Sequence, residues 1–334
     1  MRLIESSNSE FPKYWNELAS KALVTPIYST DHQKYYESIA PSPNAIDLSA
    51  VVVCDEIPIA GLRIFMTENG NQTRALDYFG MSAPLILPDV QQHQSAASVE
   101  MLSQFLFSKS LKGMLSDDNT EFKVLIPLQG PRSSKIIDLF LENSHRIHMD
   151  FMRVVELGAD DFGAGPRKTK SIKGALKSAE ILGMKCQVID KNSEPDDIYW
   201  GMRKLQELHL ASAGRATRSQ KSWDEQSQAI LRGSAFLVLG TLDDQTVGAA
   251  YFLNNATSAY YGVSANSTEF QHVSSSHVLI VEALKYLTHN SYSRLFLGSQ
   301  YSDRSQKISP KELQIERFKS LFGGRVAFNL IVEK

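Results

Sequence analysis

Cysteine is scarce: Cys54 and Cys186 are the two in 334 residues, both inside apolar stretches and neither within a CxxC pair. That excludes a disulfide scaffold and a thiolate metal site. Long apolar runs are missing as well; the longest are fragments such as AVVV at 50–53 and PLILP at 84–88, far short of a membrane-crossing helix. The opening MRLIESSNSEF lacks the apolar stretch of a secretory signal, so the expected location is cytoplasmic. Neither charge dominates, with 35 Lys and Arg against 37 Asp and Glu, so no whole-molecule field draws in nucleic acid or an acidic surface. The chain contains no P-loop, no GxGxxG and no GxSxG, which argues against nucleotide hydrolysis, a dinucleotide fold and a serine hydrolase. His145 and His148 have no third ligand nearby in sequence, so no metal site is expected.

What is present is an ordinary globular composition, 43% apolar and 22% charged, in a chain long enough for two domains. Its two halves share a pattern. Tyr14-Trp15 and Tyr199-Trp200 each open an amphipathic stretch, and Ser29-Thr30 and Ser219 each begin a polar helix. AVVVCDEIPIAGLRIFM (50–66) matches AFLVLGTLDDQTVGAAYFL (235–253): a β-rich run, an acidic turn, a glycine and a second β-rich run, with Gly61 set against Gly248. Asp77-Tyr78-Phe79-Gly80 and Ala259-Tyr260-Tyr261-Gly262 follow on further strands. Each half then offers a helix (95–113 and 275–289), a strand (122–127 and 293–298) and another helix (132–143 and 311–322). This implies two tandem domains, 1–155 and 165–334, parted near ELGADDFGAGP (156–166), each a mixed α/β (α+β) layer with a partly antiparallel sheet.

The second half resembles the GNAT acyltransferases in its helix–helix–hairpin–strand–helix–strand–helix order. ERFKSLFGG (316–324) is similar to the FKxxFG signature of the Fem-type peptidyl transferases, which, with related acetyltransferases, carry tandem GNAT domains. SSSHVLIVEALKYLTHNSYSRLFLGSQ (274–300) and RKTKSIKGALKSAEILGMKCQV (167–188) match the same family in layout. The RxxGxG/A loop of CoA-binding members is absent, residues 264–276 reading SANSTEFQHVSSS, and no helical-hairpin insertion of tRNA-dependent members is present.

Several residues invite chemistry. Ser274, Ser275 and Ser276 stand where a helix start favours an anion, with His277 beside them, so Ser275, Ser276 and His277 are the candidate donor contacts; ordinary capping explains the serines equally well. Ile315, Phe318 and Phe322 form an apolar stripe with Lys319 at its edge, where its ammonium either snorkels or holds a developing oxyanion. The resemblance implies that Phe318 and Lys319 belong to the transfer site. Tyr260 and Tyr261 lie on the strand that in GNAT folds parts from its neighbour; either packs in the core or meets substrate, with Tyr261 a candidate proton donor. By the same resemblance Asp77 and Tyr78 contact the acceptor. Lys170, Lys173 and Lys177, with Arg167 and Lys168, make a positive stripe: a solvated helix face, or a clamp for a diphosphate or a tRNA backbone. Arg215, in the polar loop HLASAGRATRSQKSW (209–223), is a further candidate substrate contact. The general base stays open among Asp77, Glu269, Asp303 and a water.

The expected activity is therefore transfer of an acyl or aminoacyl group onto a primary amine of a cell-envelope or polysaccharide precursor. Acyl-CoA is the favoured co-substrate, and no permanently bound cofactor is expected. Two alternatives stand beside it. One is a Fem-type transferase dependent on aminoacyl-tRNA. The other is a non-catalytic GNAT-fold scaffold in envelope polysaccharide assembly. Partners are then a small amine, peptide or amino-sugar substrate, with tRNA in the first alternative, and no DNA.

Overall fold

A computed structural model describes the chain apart from residues 23–24, 40–45, 70–71, 76–80, 88–89, 110–119, 128–137, 139–140, 159–169 and 301–307. It divides into two compact units. The first comprises 1–24, 28–150 and 328–334, and the second 25–27 and 151–327.

In the first unit the order is β1 (Arg2–Glu5), α1 (Phe11–Lys21), α2 (Thr30–Ile39), β2 (Ile46–Asp47), β3 (Ala50–Cys54), β4 (Ile57–Arg63), β5 (Phe65–Asn69), β6 (Gln72–Ala75), β7 (Met81–Ile86), α3 (Gln92–Ser108) and β8 (Thr120–Pro127). The main sheet runs β1-β3-β4-β7-β8: three antiparallel ladders, then a parallel one. The short strands β2, β5 and β6 form a side sheet joined to β8. Tyr14, Trp15 and Leu18 of α1 are completely buried. Leu102 and Leu106 of α3 join Ala50, Val52, Ala60 and Leu62 of the hairpin in one core.

The second unit begins within β9 (Arg146–Glu156), then continues through α4 (Lys170–Ile181), β10 (Lys185–Ile189), α5 (Pro195–Ala213), α6 (Gln220–Leu231), β11 (Ala235–Leu242), β12 (Gln245–Asn254), β13 (Ser258–Asn266), α7 (Ser275–His289), β14 (Arg294–Ser299), α8 (Pro310–Ser320) and β15 (Arg325–Glu333). Its sheet runs β10-β11-β12-β13-β14, again three antiparallel ladders and a parallel one. The mixed, partly antiparallel sheet expected from the sequence is thus present in both units, in the same strand order and with the same directions. The helix starts also agree: Ser29 accepts from the His32 amide and Ser219 from the Ser222 amide.

The hairpins carry the clearest mark of duplication. Asp55 and Glu56 turn β3 into β4 at φ +49° and +63°, and Asp243 and Asp244 turn β11 into β12 at +49° and +61°. Paired left-handed residues make the primed two-residue turn that suits the strand twist, and non-glycine residues adopt it uncommonly. Each hairpin also slips its register two pairs from the turn, at Val52/Val53 and at Gly240/Thr241. Aligning the halves by these turns sets Ala60, not Gly61, against Gly248; Val52 pairs Ala60 as Gly240 pairs Gly248.

The terminal strands are exchanged. The far end of β8 is flanked by β15, from the end of the chain, with Asn329 opposite Pro127 and Glu333 opposite Lys123. In the second unit β14 is flanked by β9, from the end of the first half, with Arg294 opposite Glu156. Among the described residues no helix is long and apolar enough to cross a membrane.

Candidate active site

Strands β13 and β14 begin as parallel neighbours and then part. Their ladder covers Ser258–Tyr260 against Arg294–Phe296 and stops there, while β13 continues to Asn266 and β14 to Ser299. A bulge helps open the gap. Tyr251 faces Val263 while Phe252 faces Tyr261, leaving Gly262 as the extra residue on β13. On the side toward β14, the main-chain groups of β13 beyond Tyr260 therefore face an opening in the sheet rather than a ladder partner, while the other side stays paired with β12.

Gly298 lies on β14 just past the parting, at φ +81°, where a side chain is strained. There is also no room for one: a Cβ would stand 3.1 Å from the Tyr260 hydroxyl and 3.3 Å from Lys319 Nζ. Glycine here lets both groups approach the backbone. Lys319 comes from α8 and donates to the Ser299 carbonyl at 2.9 Å. Its helix starts with a complete capping box, Ser309 accepting from the Glu312 amide and Glu312 accepting from the Ser309 amide. Arg153 of β9, nearly buried, anchors the other end by donating to the Gly323 carbonyl at 3.1 Å and approaching Glu316 at 3.6 Å.

Phe318 and His277 meet edge to face at 5.0 Å, and Phe322 packs against both. Burial pulls the His277 imidazole below its ordinary value, partly opposed by a hydrogen bond with the Ser274 backbone, so the ring is neutral at neutral pH. The stripe expected on α8 is shorter than its spacing implies: Phe322 is buried, but Ile315 is 37% exposed. Tyr261 turns toward Phe252 and the core, with its hydroxyl hydrogen-bonded to Ser264. Burial raises that hydroxyl above the usual tyrosine value and the Ser264 bond opposes the rise, so it stays protonated.

The serines at the start of α7 are held by one side chain. Asn266, the last residue of β13, accepts from the Ser275 hydroxyl at 2.8 Å and donates to Ser276 Oγ at 2.6 Å. Ser274 sits at the cap position but makes no side-chain cap bond. Asn266 thus ties the open end of β13 to the first turn of α7. Ser275 is 2% exposed, which makes its hydroxyl part of this brace.

The structure therefore brings Tyr260, Gly298 and Lys319 together, with Phe318 and His277 in an adjoining aromatic cluster. Lys170 on α4 and Arg215 after α5 are exposed. Glu269 is exposed in the loop before α7. Asp77, Tyr78, Arg167, Lys168 and Asp303 lie outside the described residues. Sequence reasoning passed over Asn266 and Arg153; each acts across nine or more residues of chain, and neither belongs to a periodic pattern. Among the described residues no group of three metal-ligating side chains gathers anywhere.

The fold has counterparts among solved structures. FemX matches over 98% of this chain and 97% of its own, with a TM-score of 0.67 and 10% identity. The chain has the FemX fold. The C-terminal domain (DUF2156) of a protein assigned as a lysylphosphatidylglycerol synthetase of Agrobacterium fabrum matches over 98% and 92%, with a TM-score of 0.63 and 12% identity. L-PGS from Bacillus licheniformis matches over 86% and 84%, with a TM-score of 0.55 and 10% identity. No family model and no curated protein matches the chain.

Proposed function

We propose that the chain transfers an acyl or aminoacyl group onto a primary amine, with the transfer site at the parting of β13 and β14. The observation that carries this reading is the placement of the Tyr260 hydroxyl and the Lys319 ammonium over Gly298, beside unladdered β13 backbone. An extended donor arm entering the gap finds main-chain groups able to pair with its amides, as an added strand would. When a neutral amine attacks the donor's thioester or ester carbonyl, a C–N bond forms and negative charge collects on the oxygen. Lys319 is the cation within reach of that oxygen. Collapse then breaks the C–S or C–O bond, and the Tyr260 O–H gives its proton to the departing thiolate or alkoxide. The proton lost by the attacking amine passes to a general base or a water. Tyr261 has its hydroxyl engaged with Ser264 in the packed layer, and Tyr260 is given the donor role because its hydroxyl stands by Gly298.

The acceptor in this reading is an amine of a cell-envelope or polysaccharide precursor. An aminoacyl donor is favoured by the name of one neighbour, since a lysylphosphatidylglycerol synthetase is named for an aminoacylated lipid. Acyl-CoA remains the simpler donor to test. Unfolding is followed with acetyl-CoA, with charged tRNA, and with neither. A ligand at about 100 times its dissociation constant adds roughly 2.7 kcal/mol. A rise with either donor that Lys319→Ala diminishes supports transfer. No rise with either leaves the scaffold reading standing and removes this one.

A further inference from the structure

The outer face of α4 plays no part in the site described above, yet it is unusual. Its inner face buries Ile172, Ala175 and Ala179, with Ile172 in the second unit's core. On the opposite face Lys170, Lys177 and Ile181 fall at i, i+7 and i+11, nearly one line about 16 Å long, with Lys173 alongside. All four are exposed, and Ser171, Gly174, Ser178 and a single carboxylate, Glu180, lie exposed between them. Ile181 is 74% exposed, the most exposed large apolar side chain among the described residues, and Leu182 beside it is 38% exposed.

This end of the helix is built, not frayed. The Gly183 amide bonds to the Glu180 carbonyl and the Met184 amide to the Ala179 carbonyl, with Gly183 at φ +77°, which is the Schellman arrangement. The turn holds Ile181 and Leu182 at the tip. Immediately beyond it β10, which pairs only with β11 among the described strands, presents the exposed Lys185. From residue 170 to 185 the chain carries four lysines against one carboxylate, Glu180.

We infer that this face docks on an anionic lipid bilayer. Lysines flanking protruding aliphatic side chains match what such a surface offers: negative headgroups above an apolar layer. A nucleic acid would use the lysines but has no place for Ile181 and Leu182, and no aromatic side chain stands among them to stack on bases. Long lysine stems can lie flat across Gly174 and the serines while the helix rests in the interface plane. The inference is independent of the proposed transfer chemistry.

The full chain is sedimented with phosphatidylcholine vesicles with and without phosphatidylglycerol, at about 0.05 and 0.5 M salt, where screening differs strongly. Binding is expected only with phosphatidylglycerol and is weakened by salt. The triple variant Lys170→Gln, Lys173→Gln, Lys177→Gln should bind on the order of 100-fold more weakly. Ile181→Ser with Leu182→Ser keeps every charge and should still lose on the order of 10-fold. Equal partition onto neutral vesicles, or unchanged binding by the serine variant, overturns the inference. So does binding of the wild-type chain to tRNA with none to either vesicle. The serine variant should retain any thermal shift with acetyl-CoA, which separates failure of docking from failure of the transferase reading.

Discussion

Replacing Gly298 by alanine tests the site where backbone and side chains meet. At φ +81° an alanine costs about 1–2 kcal/mol from backbone strain alone. The new methyl would lie 3.1 Å from the Tyr260 hydroxyl and 3.3 Å from Lys319 Nζ, each tighter than an ordinary contact. Both are ends of flexible side chains, so they yield by a few tenths of an ångström, at roughly 0.5–1.5 kcal/mol if a rotamer is strained. Gly214 supplies the control: it has φ +68° and nothing within 4 Å of a Cβ. Gly214→Ala should show the strain alone, and Gly298→Ala the strain plus displacement. Urea midpoints measure the first quantity. The second is read by acetylating Lys319 with N-hydroxysuccinimidyl acetate and following the modified peptide by mass spectrometry. The Lys319–Ser299 bond is worth about 1 kcal/mol, so loosening it should change the rate roughly fivefold. Gly214→Ala should leave that rate alone. Equal stability losses in the two variants, with Lys319 equally reactive in both, would refute the geometry argued for the site.

Three further outcomes are expected. Asn266→Ala strands the buried Ser275 hydroxyl and should cost about 1–3 kcal/mol in urea unfolding, whereas Ser276→Ala, which removes only an acceptor, should cost less. Ser309→Ala removes the capping box of α8 and should cost about 1 kcal/mol, with faster hydrogen exchange confined to the first turns of that helix. Burial, assisted by the Arg63 charge, pulls His32 from 6.5 down to about 3. The folded state therefore binds this proton less readily than the unfolded chain. The stability His32 contributes is complete above pH 6.5 and drains away as pH falls toward 3, about 2 kcal/mol of it between pH 7 and pH 5. His32→Leu should flatten that part of the pH dependence, and an unchanged slope would contradict the assignment.

Much of this architecture was readable because duplication repeats local signals. The acidic turns, the serine-started helices and the strand–helix alternation each rest on a few adjacent residues, so they survive in sequence. α7 spans Ser275–His289, as its apolar spacing predicts, and β14 begins one residue from its expected start. The exchange of β9 and β15 left no such trace. An alternating strand encodes which of its faces is buried, but not which sheet edge it completes. The site divides in the same way. Lys319 and the tyrosines stand in recognisable stretches, whereas the brace at Asn266 and the Arg153 anchor join residues whose proximity exists only after folding. The three serines illustrate the limit: their position at a helix start was plain, but their commitment to Asn266 was not.

The exchanged strands also set a clock on synthesis. β8 ends at Pro127, and the partner that closes its outer edge begins pairing at Asn329. At roughly 5–20 residues per second, about 10–40 s separate the emergence of the two. For that interval the earlier-made sheet has an uncovered edge with Val124, Leu125 and Ile126 along it, a template for unwanted pairing until the last strand arrives. A chain stopped just short of Phe328 should consequently aggregate through its older half while its younger half keeps the strand it needs, a reversal of what the position of the cut suggests.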